Sequence, residues 1–186
     1  MPLPGAIRIP PPPRGMPRRM RAWYVVVAAA VSTVVAAVQS CPVADRQGRP
    51  TWRVETIHDG DTVTCIDPEG KPQKIRLRGI DAPEYDQPFG RESRALLDRK
   101  LAGRRVRVEG HARDQHGRLL GTLSIEDRDV NREMVLEGAA WVFGGFAPDE
   151  RLLAAEAEAR QNRRGLWSDP RAVSPSDWRS AHPSHR

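Results

Sequence analysis

The sequence predicts a mainly β chain with helices, an α+β domain in which a closed five-stranded barrel carries three helices. Two observations predict it. Runs rich in β-branched residues and helical stretches follow the order strand, strand, strand, helix, strand, strand, helix, helix. Short clusters of Asp, Gly, Pro and Gln part most of these runs, so the strands are joined by turns.

The elements follow in chain order. WRVETIH (52–58) and TVTCID (62–67) alternate apolar and polar residues, and the Asp-Gly between them is a strong hairpin signal. PEGK (68–71) is a second turn, and PQKIRLRGI (72–80) reads as a third strand. RESRALLDRKLAG (91–103) places Leu97 and Leu101 one turn apart and ends on Gly103, a helix with a natural stop. RRVRVEG (104–110) alternates again, DQHGR (114–118) is a turn, and LLGTLSI (119–125) is the fifth strand. VNREMVLEG (130–138) carries Val130, Met134 and Gly138 on one helical stripe. PDERLLAAEAEARQNRRG (148–165) opens with Asp149 as an N-cap and closes at Gly165. Three strands, a helix, two strands and further helices fit a five-stranded barrel of the OB type. The domain spans 52–169, after a linker at 42–51. The tail 170–186 is polar and rich in Pro and Ser, and is expected to be loosely held.

Net charge is +6, which suggests a polyanionic partner at first sight. Residues 1–41 hold five arginines and no acid; removing those five from the 30 basic residues leaves the rest with 25 against 24 acids. The body is close to neutral, so attraction to a polyanion has to come from a local arrangement rather than a global field. RKLAGRRVRV is one candidate patch, although as a helix end and a strand face it reads rather as solvated charge.

The first 41 residues read as a signal peptide or an N-terminal membrane or lipid anchor. RGMPRRMRAW is basic, Tyr24 to Val38 is uncharged and dominated by Val and Ala, and small residues Val38 and Ser40 precede Cys41. The apolar run is shorter than the ~20 residues of a comfortable span. VQSC also resembles the lipobox of bacterial lipoproteins, which would make Cys41 a lipidated first residue. The expectation is an exported protein, secreted or periplasmic, touching a membrane only through this segment. Cys41 and Cys65 form no metal-binding spacing; they either pair, or Cys65 is a buried free thiol in its alternating run.

Three separated segments share a chemical character. DGDT (59–62) puts carboxylates on a tight turn, RLRGIDAPE puts Arg76, Asp81 and Glu84 around a strand end, and DQHGR puts Arg118 at a strand entry. Strand ends on one barrel rim can converge, and acids beside guanidinium groups suit a hard cation together with an anionic substrate. Pro83 biases Ala82 to an extended conformation, which would aim its carbonyl at a metal. Taken singly, each segment is also a plain turn or strand stop.

These segments, with FGRES, VNREMVLEGAAWV and RRGLW, fall in the order and spacing of the staphylococcal nuclease-like, or thermonuclease, family, over roughly Trp52 to Asp169. The resemblance implies an OB-barrel endonuclease that hydrolyses phosphodiesters of single-stranded or unpaired DNA and RNA with Ca2+, acting as a monomer. It implies Asp61, Asp81 and the Ala82 carbonyl as calcium ligands, with Thr62 supporting them. It implies Glu84 as the residue that orients or deprotonates the attacking water, and Arg76 and Arg118 as the phosphate-binding arginines. Departures from the family pattern fall on nucleotide contacts: Gln115 and His116 stand where family members carry Lys and Tyr, and Gly144 and Phe146 stand in place of pocket tyrosines. The alternative reading is a non-catalytic OB module that binds nucleic acid or protein at the cell envelope.

Overall fold

The structure, a computed structural model, describes residues 15–17, 19–27, 44–145 and 149–183. Two compact units divide the chain, 1–42 and 43–186. In the first, helix α1 covers residues 19–27 and exposes Met20, Trp23 and Val25 to Val27. Most of the apolar run to Val38, the expected cut and Cys41 lie outside the described residues, as does Phe146. No helix among the described residues is long and apolar enough to cross a membrane.

The second unit is the expected OB-type barrel. β1 (Trp52–Ile57), β2 (Thr62–Ile66) and β3 (Pro72–Leu77) form an antiparallel meander. β5 (Arg105–Glu109) pairs antiparallel with both β1 and β6 (Leu119–Ile125). β3 and β6 then close the ring in parallel, with Ile75 opposite Leu119 and Arg76 opposite Leu120. The alternation that marks the strands is the barrel's inside: Val63, Cys65, Ile75, Leu77, Val106 and Leu123 are almost wholly inaccessible. Cys65 is a free thiol, pushed up to about 12 chiefly by burial.

Helices α2 (Gly90–Leu101), α3 (Val130–Leu136) and α4 (Glu150–Gln161) correspond to the three expected. Leu97 and Leu101 from α2, Val130, Met134 and Val135 from α3, and Leu152 and Ala155 from α4 complete the core. Asn131 ties α3 to the barrel: its Oδ1 accepts from Leu123 N at 3.0 Å, and its Nδ2 donates to Arg78 O at 2.9 Å and Gly121 O at 3.2 Å. Every polar atom of that buried amide is used.

Several boundaries differ from the sequence reading. The stretch 72–80 is not one strand. Gly79 adopts φ +79°, which ends β3 and lets Ile80–Asp81 (β4) start a separate two-stranded sheet with Trp141–Val142 (β8). Arg128–Asp129 (β7) adds a two-residue strand beside β6. The last long helix stops at Gln161, Arg163 takes a left-handed conformation, and a 3-10 turn follows over Gly165–Ser168. The expected linker is a folded turn from Ala44 to Pro50, in which Asp45 accepts hydrogen bonds from Arg49. The expected loose tail contains a further helix, α5 (Pro175–Ala181).

The RKLAGRRVRV stretch largely spends its charge internally. Lys100 pairs with Glu133 and Glu137, Arg105 donates to Thr51, and Arg107 pairs with Glu109. Arg99 and Arg104 stay exposed, so the surface is braced in part.

Candidate active site

At one rim of the barrel a cleft of about 760 Å³ is lined by Asp61, Arg76, Asp81, Ala82, Glu84 and Arg118, the residues singled out from the sequence. Three stretches far apart in the chain deliver them to one place.

The Asp59-Gly60-Asp61 turn is held by Asp59 Oδ1, which accepts from Asp61 N at 2.9 Å. Gly60 lies against α2, and a Cβ there would sit 1.9 Å from Ser93 Oγ. Only glycine lets the turn approach the helix so closely. The Asp61 side chain points inward and is fully engaged. Its Oδ1 accepts from the Thr62 hydroxyl at 2.9 Å, and its Oδ2 accepts from Ala82 N at 2.7 Å and lies 2.7 Å from Arg76 Nη1. Burial pushes its carboxyl up to about 7, against the pull of Arg76 in the other direction.

Arg76 comes from β3, on the strand face opposite Ile75 and Leu77. Its Nη1 donates to Ile80 O at 2.8 Å, and its Nη2 donates to Asp81 Oδ1 at 2.7 Å. One planar fork therefore joins both buried aspartates and the turn between β3 and β4. Glu84 sits on the loop that follows. Glu84 N donates to Gln87 Oε1 at 3.1 Å, and Gln87 N donates back to Glu84 O at 3.0 Å. Gly90, the first residue of α2, packs on this loop so tightly that a Cβ would fall 1.8 Å from Glu84 O.

Arg118 leaves the 114–118 turn at the entry to β6. Asp114 Oδ1 accepts from His116 N and Arg118 N at 2.9 Å each, and its Oδ2 accepts from Arg118 Nε at 2.7 Å. Burial raises the Asp114 carboxyl, but the hydrogen bonds from Arg118 and His116 outweigh it and hold the group below its ordinary value. Arg118 is thus fixed by its own turn with Nη1 and Nη2 outside that pair. Gln115 and His116 line the same side of the cleft and are exposed.

Three lining features were not read from the sequence. Lys74 and Arg78 share the cleft with Arg76, as period-2 alternation on one strand face permits. Phe143 supplies an aromatic wall, its backbone N donating to Gly79 O at 2.9 Å; of the two residues expected in place of pocket tyrosines, Gly144 follows it in a turn and Phe146 lies outside the described residues. Arg179 of α5 enters from the C-terminal end, with Nη1 donating to Glu84 Oε1 at 2.6 Å and Nη2 to Asp81 Oδ2 at 2.9 Å. Pro175 at N1 and the Ser174 cap on Asp177 N were visible signals of that helix.

Among the described residues, no three of His, Cys, Asp and Glu gather into a metal cage. Asp61 and Asp81, both facing Arg76, with Ala82 beside them, are a smaller set of hard oxygen donors. It fits in type a hard divalent ion that takes its remaining ligands from water.

A small barrel with buried carboxylates and guanidinium groups at one mouth is equipped for a phosphate-bearing ligand. Comparison with known proteins agrees. The family model described as staphylococcal nuclease homologue matches residues 74–169. An uncharacterized endonuclease of Escherichia coli O157:H7 is 44% identical over 128 residues, covering 68% of this chain and 83% of the relative. An uncharacterized endonuclease of Haemophilus influenzae is 37% identical over 129 residues, covering 69% and 72%. A micrococcal nuclease of Shigella flexneri is 35% identical over 164 residues, covering 82% and 91%. The chain belongs to the staphylococcal nuclease family.

Proposed function

We propose that this protein hydrolyses phosphodiester bonds of single-stranded or unpaired DNA and RNA with calcium, using Glu84, Arg76 and Arg118. In enzyme class the chain is a hydrolase, a nuclease. The observation that supports the finer assignment is the convergence of Asp61, Arg76, Asp81, Glu84 and Arg118 on one cleft.

A phosphodiester is anionic and repels hydroxide, so cleavage needs an oriented nucleophile and relief of charge at phosphorus. Glu84, on the cleft wall with one carboxylate oxygen anchored by Arg179, accepts a proton from a water aimed at the phosphorus. The Arg118 Nη1 and Nη2 donate to the phosphate oxygens while Asp114 keeps the side chain from swinging away. Arg76 adds a second fixed positive charge at the cleft floor, pre-organised by two carboxylates and the Ile80 carbonyl. Asp61, Asp81 and the Ala82 carbonyl would hold the calcium ion, whose contribution is polarisation of a phosphoryl oxygen and orientation of water. The basic and apolar N-terminal segment supports export, and the protein acts as a monomer in this reading.

The test is incubation of the purified protein with single-stranded DNA and RNA in calcium and then in chelator, alongside Glu84→Gln. Cleavage that stops in chelator and falls at least about 10²-fold in the variant is the expected result. Chelator-resistant cleavage removes the calcium assignment, and a fully active Glu84→Gln removes the catalytic one.

A further inference from the structure

The tail that reads as loose polar chain reaches the heart of the cleft. Arg179 donates to Glu84 Oε1 at 2.6 Å, to Asp81 Oδ2 at 2.9 Å and to Asp81 Oδ1 at 3.4 Å. Its guanidinium is partly buried; burial alone would lower its pKa, and the bonds to Asp81 and Glu84 reverse this and raise it. The helix that carries it is anchored. Gln87, 5% exposed, donates from Nε2 to Val173 O at 2.7 Å while its Oε1 accepts from Glu84 N. Ser174 accepts from Asp177 N, Pro175 is buried at the first turn, and Trp178 stacks on His182 at 3.9 Å. The C-terminal segment therefore holds Glu84 twice, at its backbone through Gln87 and at its carboxylate through Arg179.

We propose that Arg179 is a positioning residue for the hydrolytic reaction, and that α5 completes the active site. The proposal rests on the reading of Glu84 as the water-orienting group. Of the carboxylates lining the cleft, Arg76 faces Asp61 and Asp81 but not Glu84. Among the described residues Arg179 is the side chain that bonds the Glu84 carboxylate, and without it Glu84 faces the like charge of Asp81. With it, one planar fork sets the spacing between Asp81 and Glu84, so the glutamate meets the substrate in one orientation. A lysine supplies the charge but not the fork, which makes Arg179→Lys a graded probe.

The experiment uses the full chain with Arg179→Ala, Arg179→Lys, Glu84→Gln and the Glu84→Gln/Arg179→Ala double variant. Single-stranded DNA cleavage is measured in calcium, and thermal melting is measured in chelator. The expected result is a fall of about 10- to 100-fold in kcat for Arg179→Ala, with KM changed less than threefold. Arg179→Lys recovers part of the loss while melting as a folded protein. The Arg179→Ala loss disappears in the Glu84→Gln background, and the melting shifts of the two single variants are likewise not additive, because both act through one contact. Unchanged kcat in Arg179→Ala, or additive effects in the double variant, overturns the proposal. A rise in kcat overturns it too and makes α5 a plug over the cleft. If Glu84→Gln is itself fully active, the functional reading fails. If Glu84→Gln is crippled and Arg179→Ala is not, only the role of α5 fails.

Discussion

Arg76 Nη1 and Asp61 Oδ2 meet at 2.7 Å at the floor of the cleft, with side chains only 14% and 7% exposed. An ion pair so far from water is not decoration. Removing Arg76 takes from Asp61 and Asp81 the cation they share, and breaking a buried pair of this kind costs about 3–5 kcal/mol.

Arg76→Ala is accordingly expected to lose both stability and activity, whereas Arg76→Lys keeps the charge and loses the fork. Arg76→Lys should remain folded by thermal melting yet cut single-stranded DNA at least about 10²-fold more slowly. Arg118→Ala should lose a similar factor with almost no change in melting, since its side chain pairs with Asp114 of its own turn rather than with a distant element. Near-normal turnover in both variants would remove the two arginines from the reaction.

Gly90→Ala should separate packing from chemistry. The added methyl would collide with Glu84 O, a backbone atom with no easy escape. Overpacking of this kind costs about 1–3 kcal/mol. The melting temperature should fall, and kcat should fall with it because the loop carrying Glu84 has to move. A variant that melts lower but keeps full kcat would show that the loop position is not critical.

Stability should also depend on acid in a defined way. Hydrogen bonds from Arg128 hold the Glu133 carboxyl below its ordinary value despite burial, and Lys100 adds to the effect. A carboxyl depressed in the folded state stabilises the fold above the ordinary glutamate pKa and loses that contribution as pH falls through the lower, folded value. Chemical denaturation between about pH 6 and pH 3 should show this loss, and Glu133→Gln should flatten that part of the profile. An identical slope in the variant would assign the acid sensitivity to other carboxylates.

The barrel was legible because its interior follows the simplest rule available. Val63 and Cys65, then Ile75 and Leu77, alternate inward, and Asp-Gly marks the first turn. β4 and β8 are two residues each, too short for any periodicity to declare itself. The gathering of Asp61, Arg76, Asp81, Glu84 and Arg118 followed from motif order, which carries register with it. Arg179 did not, because its partner Asp81 lies 98 residues earlier and no local pattern encodes that contact. α5 itself was signalled by Ser-Pro-Ser-Asp, a capping sequence hidden in a stretch whose composition suggested loose chain. Phe143 reaches the cleft from just beyond β8, where its backbone N donates to Gly79 O, a contact across 64 residues that no local pattern announces.

The parallel seam between β3 and β6 has a consequence for when activity appears. Arg76 and Arg118 are brought near each other only when strands about forty residues apart in the chain zip together with Ile75 opposite Leu119. Such a contact is expected to form slowly, because its loop-closure entropy has to be met before any reward arrives. If the two arginines act together as proposed, a chain that has not closed this seam holds both side chains and cannot yet cleave. The cutting edge comes into being with the final ring closure.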